Sequence, residues 1–86
     1  MTEQDVFEVV KKVIIEILPD VKQEQVLIER NLKELGANSI DRMEVVTMSM
    51  EALDLKIPLM SFAQVSNIQG LVDVLLENCV TPVERN

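Results

Sequence analysis

Apolar residues recur at intervals of three and four near the start of the chain. Phe7, Val10, Ile14 and Ile17 fall on one helix face, and Glu8, Lys11, Lys12 and Glu16 fall on the other. Thr2-Glu3-Gln4-Asp5 reads as a weak capping box ahead of this stripe. Pro19-Asp20 closes it, because proline lacks the N–H of a helical hydrogen bond and pushes the residue before it out of helical geometry. The spacing predicts a first helix over about Glu3 to Leu18. From Pro19 to Asn38 no period is sustained, and Val21, Val26, Ile28, Leu32 and Leu35 are scattered as anchors of a packed loop. A connection of roughly 20 residues is long for a compact domain, so short turns are expected inside it, around Asn31 to Leu35.

A second helix is expected to start at Asn38 or Ser39, both good N-cap residues, and to run to about Leu53. Asp41 then lies in the first turn, where a carboxylate suits the positive end of the helix dipole. Lys56-Ile57-Pro58 breaks the pattern, and Ser61 to Val65 has room only for a short helix or turn. Asn67 caps a last helix whose stripe is Ile68, Leu71, Val72, Leu75 and Leu76, with Gln69, Asp73 and Glu77 facing away. The prediction is an all-α fold: a small four-helix bundle of three longer helices and one short one, with a long loop between helices one and two.

The second helix does not fit one stripe. Val45, Met48, Ala52 and Leu53, with Val46 beside them, form one apolar face, while Ile40, Met43, Thr47 and Met50 form another that runs on from Ser39. Methionine at helical spacing is usually core. Both faces cannot easily be core, however, and the one that Ser39 shares is expected to be at least partly exposed. Unbranched, polarizable methionines suit a surface that meets several partners. Asp41, Glu44, Glu51 and Asp54 border it, and Arg42 is the single basic residue of the helix. An apolar strip in an acidic field would draw basic partners in quickly and then fix their register.

Composition narrows the classes further. The chain has 86 residues, which is enough for one small domain, here residues 1–80 followed by a tail at 81–86 that is expected to fray. Hydrophobic residues make up 48%, yet there are only two Phe and no Trp or Tyr, so the core must be aliphatic and platforms for stacking bases are lacking. Fifteen acidic against eight basic residues give a net charge of -7, which repels nucleic acid. No apolar run reaches the roughly 18 to 20 residues of a membrane span. The lone Cys79 and an acidic start without signal-peptide character fit a cytoplasmic monomer, with Cys79 as an apolar filler or frayed-end residue.

No His is present, so Ser39 has no obvious base to make it a nucleophile. Alone, Asn38-Ser39 before an apolar segment is an ordinary helix cap. Its context, Leu35-Gly36-Ala37-Asn38-Ser39-Ile40-Asp41, resembles the Gly-x-Asp-Ser-Leu/Ile signature of acyl and peptidyl carrier proteins. Gly36, Ser39 and Ile40 match, and Asn38 stands where that family usually has Asp. The likeness extends over about residues 3 to 79 and also includes Ile57-Pro58 and the acidic balance. Carrier proteins of this type have a long first loop.

The resemblance implies a non-catalytic carrier, with 4'-phosphopantetheine attached to Ser39 by a phosphopantetheinyl transferase and an acyl group held on the arm as a thioester. Asn38, Ile40, Asp41, Arg42, Met43, Glu44, Thr47, Met50 and Glu51 are then the expected partner-recognition residues, and no metal site is expected. The run Gly36 to Arg42 is similar to that of the discrete carriers of polyketide β-branching cassettes. That similarity implies three further partners: an acyltransferase, a ketosynthase-like decarboxylase that turns malonyl into acetyl, and an enzyme resembling hydroxymethylglutaryl-CoA (HMG-CoA) synthase. A general fatty-acid carrier, a discrete aminoacyl carrier and an unmodified acidic helical interaction module are the alternatives.

Overall fold

The computed structural model describes residues 2–65 and 67–80. Among them lie three α-helices, α1 (Glu3–Ile17), α2 (Ser39–Leu53) and α3 (Ile68–Val80), two 3-10 helices at Gln23–Gln25 and Leu59–Phe62, and no strand. The short fourth helix expected near Ser61 to Val65 is thus a single 3-10 turn that begins earlier, right after Pro58, whose fixed φ suits the residue before a helical turn. The tail expected to fray, at 81–86, lies outside the described residues.

Each helix starts where a side chain can take up its unpaired N–H groups. At α1 the Asp5 N–H donates to Thr2 Oγ1 (3.2 Å) and the Thr2 N–H donates back to Asp5 Oδ2 (3.0 Å). That backbone donor, then the Thr2 side chain, holds the Asp5 carboxyl below its ordinary range. At α3 the Gly70 N–H donates to Asn67 Oδ1 (2.8 Å). Val6, Val10, Val13 and Ile14 are the buried residues of α1, so its core stripe is centred slightly to one side of the predicted one. Phe7 and Ile17 are half-buried at its margin. They meet Val45 of α2, Ile68, Leu71, Val72 and Leu75 of α3, and Val26 and Ile57 from the connections. α1 packs against both other helices, which touch each other less. Gln69, expected to face away, is half-buried and donates to Glu3 Oε2 (2.6 Å), tying the start of α3 to the start of α1.

The long connection is made of turns. Between Asn31 and Glu34 the same reciprocal pairing recurs, with the Glu34 N–H donating to Asn31 Oδ1 (2.8 Å) and the Asn31 N–H to Glu34 Oε1 (3.3 Å). The Ala37 N–H then reaches back to the Leu32 carbonyl (3.1 Å) and the Gly36 N–H to that of Lys33 (3.0 Å), the paired bonds that close a Schellman turn. Gly36 holds φ +96, with open space where a side chain would be, so glycine is needed there for its backbone and not for room. Farther along, the Ile68 N–H donates to the Arg30 carbonyl (2.8 Å) and fastens this loop to the first turn of α3.

Immediately after Gly36 the chain enters α2 through a full capping box. The Asp41 N–H donates to Asn38 Oδ1 (2.7 Å), and the Asn38 N–H donates to Asp41 Oδ2 (3.2 Å). The buried line of α2 runs through Val45 and Ser49, flanked by half-buried Val46, Met48, Met50 and Leu53. Ala52, predicted for the core, is exposed, and Met50, predicted for the exposed face, packs on the core. The cause is Ser49. It is fully buried at the centre of the packed face, and its Oγ has no hydrogen-bond partner among the described residues. A polar residue at that point conceals the true stripe from any hydrophobic period.

Three stability changes are expected in urea unfolding. Ser49→Ala should raise stability by about 1 kcal/mol, since burying an unpaired hydroxyl costs roughly 1–3 kcal/mol; a loss would mean that the hydroxyl is satisfied. Asn38→Ala should cost about 1 kcal/mol, whereas Asn38→Asp should fall within a few tenths of wild type. Gly36→Ala should cost about 1–2 kcal/mol through its positive φ.

Candidate functional site

Ser39 is the first residue of α2 and is exposed. Its side chain makes no hydrogen bond among the described residues, which leaves the hydroxyl accessible. The N–H groups of Ser39 and Ile40, unlike those of Asp41 and Arg42, find no acceptor within the helix start. A group carrying negative charge on Ser39 Oγ would meet these two donors and the positive end of α2.

Two surface grooves meet at Ser39. The first, with a volume of about 750 Å³, runs between α2, the Leu59–Phe62 turn and the start of α3. Leu32, Val46, Phe62, Val65 and Leu71 give it apolar walls, and Asn31, Lys33, Arg42 and Asn67 give it polar ones. The second runs along α2 itself and is lined by Ile40, Met43, Glu44, Thr47, Met48 and Glu51. Ser39 and Met43 line both.

The predicted site residues therefore separate into groups. Ile40 (71% exposed), Met43 (50% exposed) and Thr47 share the outer surface of α2, with Glu44 and Glu51 as their acidic border. Arg42 turns to the other groove. Asn38 and Asp41 are engaged with each other at the helix cap, so the amide that stands in place of the family's usual Asp performs the same capping through its oxygen. Met50 is half-buried and lines neither groove.

Sequence reasoning did not single out Leu59 and Met60, which are 47% and 83% exposed and extend the apolar surface from Met43 across the first groove. The signal was available in two large apolar residues directly after Ile57-Pro58, where no helical stripe could bury them. Lys33 was likewise missed, because only folding of the loop brings it to the wall of the groove that Arg42 also lines.

Other chemistry is sparse. Among the described residues no group of three His, Cys, Asp or Glu is placed to hold a metal ion, and no helix is long and apolar enough to cross a membrane. Cys79 is partly buried against the core, and burial pushes its thiol up, away from the reactive thiolate.

The chain has known relatives. Residues 8–75 match the family model for the phosphopantetheine attachment site. A polyketide-biosynthesis acyl carrier protein of Bacillus subtilis is 43% identical over 77 residues, which span 90% of this chain and 94% of that protein. An acyl carrier protein of Guillardia theta is 40% identical, over 87% of this chain and 93% of its own length. Among solved structures, a chain from the curacin-pathway HMG synthase in complex with its acetyl-donor carrier protein superimposes with a TM-score of 0.80 at 35% identity, covering 87% of this chain and 96% of that one. The exposed serine at a capped helix start thus sits in a chain that belongs to the phosphopantetheine-attachment family, an acyl carrier protein that holds its cargo on a covalent 4'-phosphopantetheine arm and is not itself a catalyst.

Proposed function

We propose that Ser39 carries the arm and that the protein delivers an acetyl group to an HMG-synthase-like enzyme in polyketide β-branching. The observation that supports the donor role is the likeness, at 35% identity and TM-score 0.80, to a chain from a complex of an HMG synthase with an acetyl-donor carrier. The similarity to a polyketide-biosynthesis carrier points the same way. For Ser39, the support is its accessible hydroxyl at the junction of two grooves, next to two unpaired backbone donors. These residues fit a phosphodiester.

On attachment, Ser39 Oγ bonds to the pantetheine-side phosphorus of coenzyme A, the bond from that phosphorus to adenosine bisphosphate breaks, and the serine proton leaves. Bound, the arm supplies a terminal thiol that holds the acyl group as a thioester. The chain's own contribution is placement. The Asn38–Asp41 box and the Gly36 turn hold Ser39 on rigid structure. Ile40, Met43 and Thr47, with acidic Glu44 and Glu51 beside them, are the surface on which partners dock, and Leu59 and Met60 widen it. Charge brings a basic partner in, and the apolar strip sets its register without a tight, slowly released interface.

The remaining partners of this reading are a phosphopantetheinyl transferase, an acyltransferase that loads malonyl and a ketosynthase-like enzyme that decarboxylates it, all acting on a monomeric carrier in the cytoplasm. Residues 1–80 act as one carrier domain, a short-helix variant of the four-helix carrier bundle. A general acyl carrier is the second reading, favoured by the 40% identity to the Guillardia protein.

Three measurements test the proposal. Intact mass after incubation with coenzyme A and a broad-specificity transferase should rise by one arm in wild type and stay unchanged in Ser39→Ala; an arm on that variant would remove Ser39 from the role. Competition between malonyl, acetyl and aminoacyl donors should load acyl groups, and exclusive aminoacylation would sink the polyketide reading. With a purified HMG-synthase-like partner, Ile40→Glu or Met43→Glu should lower kcat/KM for acetyl transfer about tenfold or more with unchanged helicity, as loss of a central apolar contact does.

A further inference from the structure

The two grooves that meet at Ser39 differ in charge. The α2 groove carries Glu44 and Glu51 and no basic side chain. The groove toward the Leu59–Phe62 turn carries Lys33 and Arg42 and no acidic one. In a chain with fifteen acidic and eight basic residues, two cations on one rim without a carboxylate among the lining residues are an uneven distribution. Neither is neutralised: the one ion pair among the described residues joins Lys11 to Glu8, and neither Arg42 nor Lys33 makes a side-chain hydrogen bond there. The acids next to them in the chain are turned elsewhere, Asp41 to the Asn38 N–H and Glu34 to the Asn31 N–H, and pair directly with neither cation.

Arg42 lies three residues after Ser39 on α2, the spacing at which side chains on a helix are neighbours, about 5–6 Å apart at Cβ. Lys33 comes from the loop, held in place by the Asn31–Glu34 pairing and by the Ile68 N–H bond to Arg30. We propose that Arg42 and Lys33 form a cationic clamp for the phosphodiester that joins the arm to Ser39, directing the root of the arm into the first groove and leaving the Ile40 and Thr47 side of α2 clear for partners. This rests on attachment at Ser39. Guanidinium is suited to the role, since its planar fork offers several donors to phosphate oxygens, while the lysine ammonium adds a mobile point charge. On the other side Glu44, little more than a turn along α2, repels the same anion, so attraction and repulsion both favour one groove. Arg42 and Lys33 are therefore positioning residues, and exposure makes their hold salt-sensitive and easily released when a partner docks.

The test uses the full chain in its apo and holo forms, with conversion confirmed by intact mass. Failure of attachment is thereby seen separately from failure of the clamp. In wild type, the Arg42 Nε–Hε and Lys33 Nζ resonances should shift on arm attachment. Arm protons next to the phosphate should show nuclear Overhauser contacts to Leu32 or Phe62 methyl and ring protons, and the phosphorus relaxation should report restricted motion that fades as sodium chloride is raised. The doubly neutralised variant Arg42→Gln/Lys33→Gln, once its conversion to the holo form is confirmed by intact mass whatever the rate of loading, should retain its helicity and lose both the contacts and the restriction, whereas Arg42→Lys should keep part of them. Holo protein whose Arg42 and Lys33 resonances match those of the apo form, or a phosphorus relaxation identical in wild type and the double variant, would overturn the clamp. Arm contacts to Ile40 and Thr47 in place of Leu32 and Phe62 would overturn the direction assigned to it.

Discussion

The reciprocal hydrogen bonds between Asn38 and Asp41 decide where α2 begins, and most of the protein's chemistry follows from that point. With the helix starting there, Ser39 is its first residue, out in solvent, with two open backbone donors behind it. A start one residue later would leave Ser39 off the end of the helix and change the backbone donors that face its hydroxyl. Gly36 serves the same end, since its left-handed backbone ends the preceding turn and aims the chain at the cap.

A carrier must bury enough of a short chain to be rigid and still offer an apolar surface to successive enzymes. Here the two demands are divided by element. α1 and α3 supply most of the buried aliphatic residues, and α2 contributes only Val45 and Ser49 at full burial. That light commitment is what allows α2 to keep apolar residues on its outer side. Surrounding carboxylates keep such a surface from being merely sticky: the exposed strip is narrow, and the chain's charge of -7 makes two copies repel each other.

Ser39 stands on the ridge between two grooves of unlike character, one acidic along α2 and one cationic toward the Leu59–Phe62 turn. With attachment at Ser39 as proposed, the arm and a docking partner would take different sides of the same serine. Under the proposed clamp, Arg42 would act on the arm of its own molecule and not in discriminating among partners. Its side chain faces the first groove and not the outer stripe.

Much of this was legible in the chain itself. The capping residues Thr2, Asn38 and Asn67, the proline stops and the stripes of α1 and α3 express interactions between residues three or four apart, which a linear sequence displays directly. The serine in its Gly36 to Asp41 setting was equally local. What the sequence left open was the choice between the two faces of α2. Its apolar residues occupy most of the helix circumference and the centre of the packed face is a serine, so periodicity placed Met50 outside and Ala52 inside, the reverse of the fold. Only packing against α1 and α3 decided that question. Packing also drew Lys33, Leu59 and Met60 around Ser39, through contacts such as the Ile68 N–H to the Arg30 carbonyl that join residues far apart in the chain and leave no periodic trace in it.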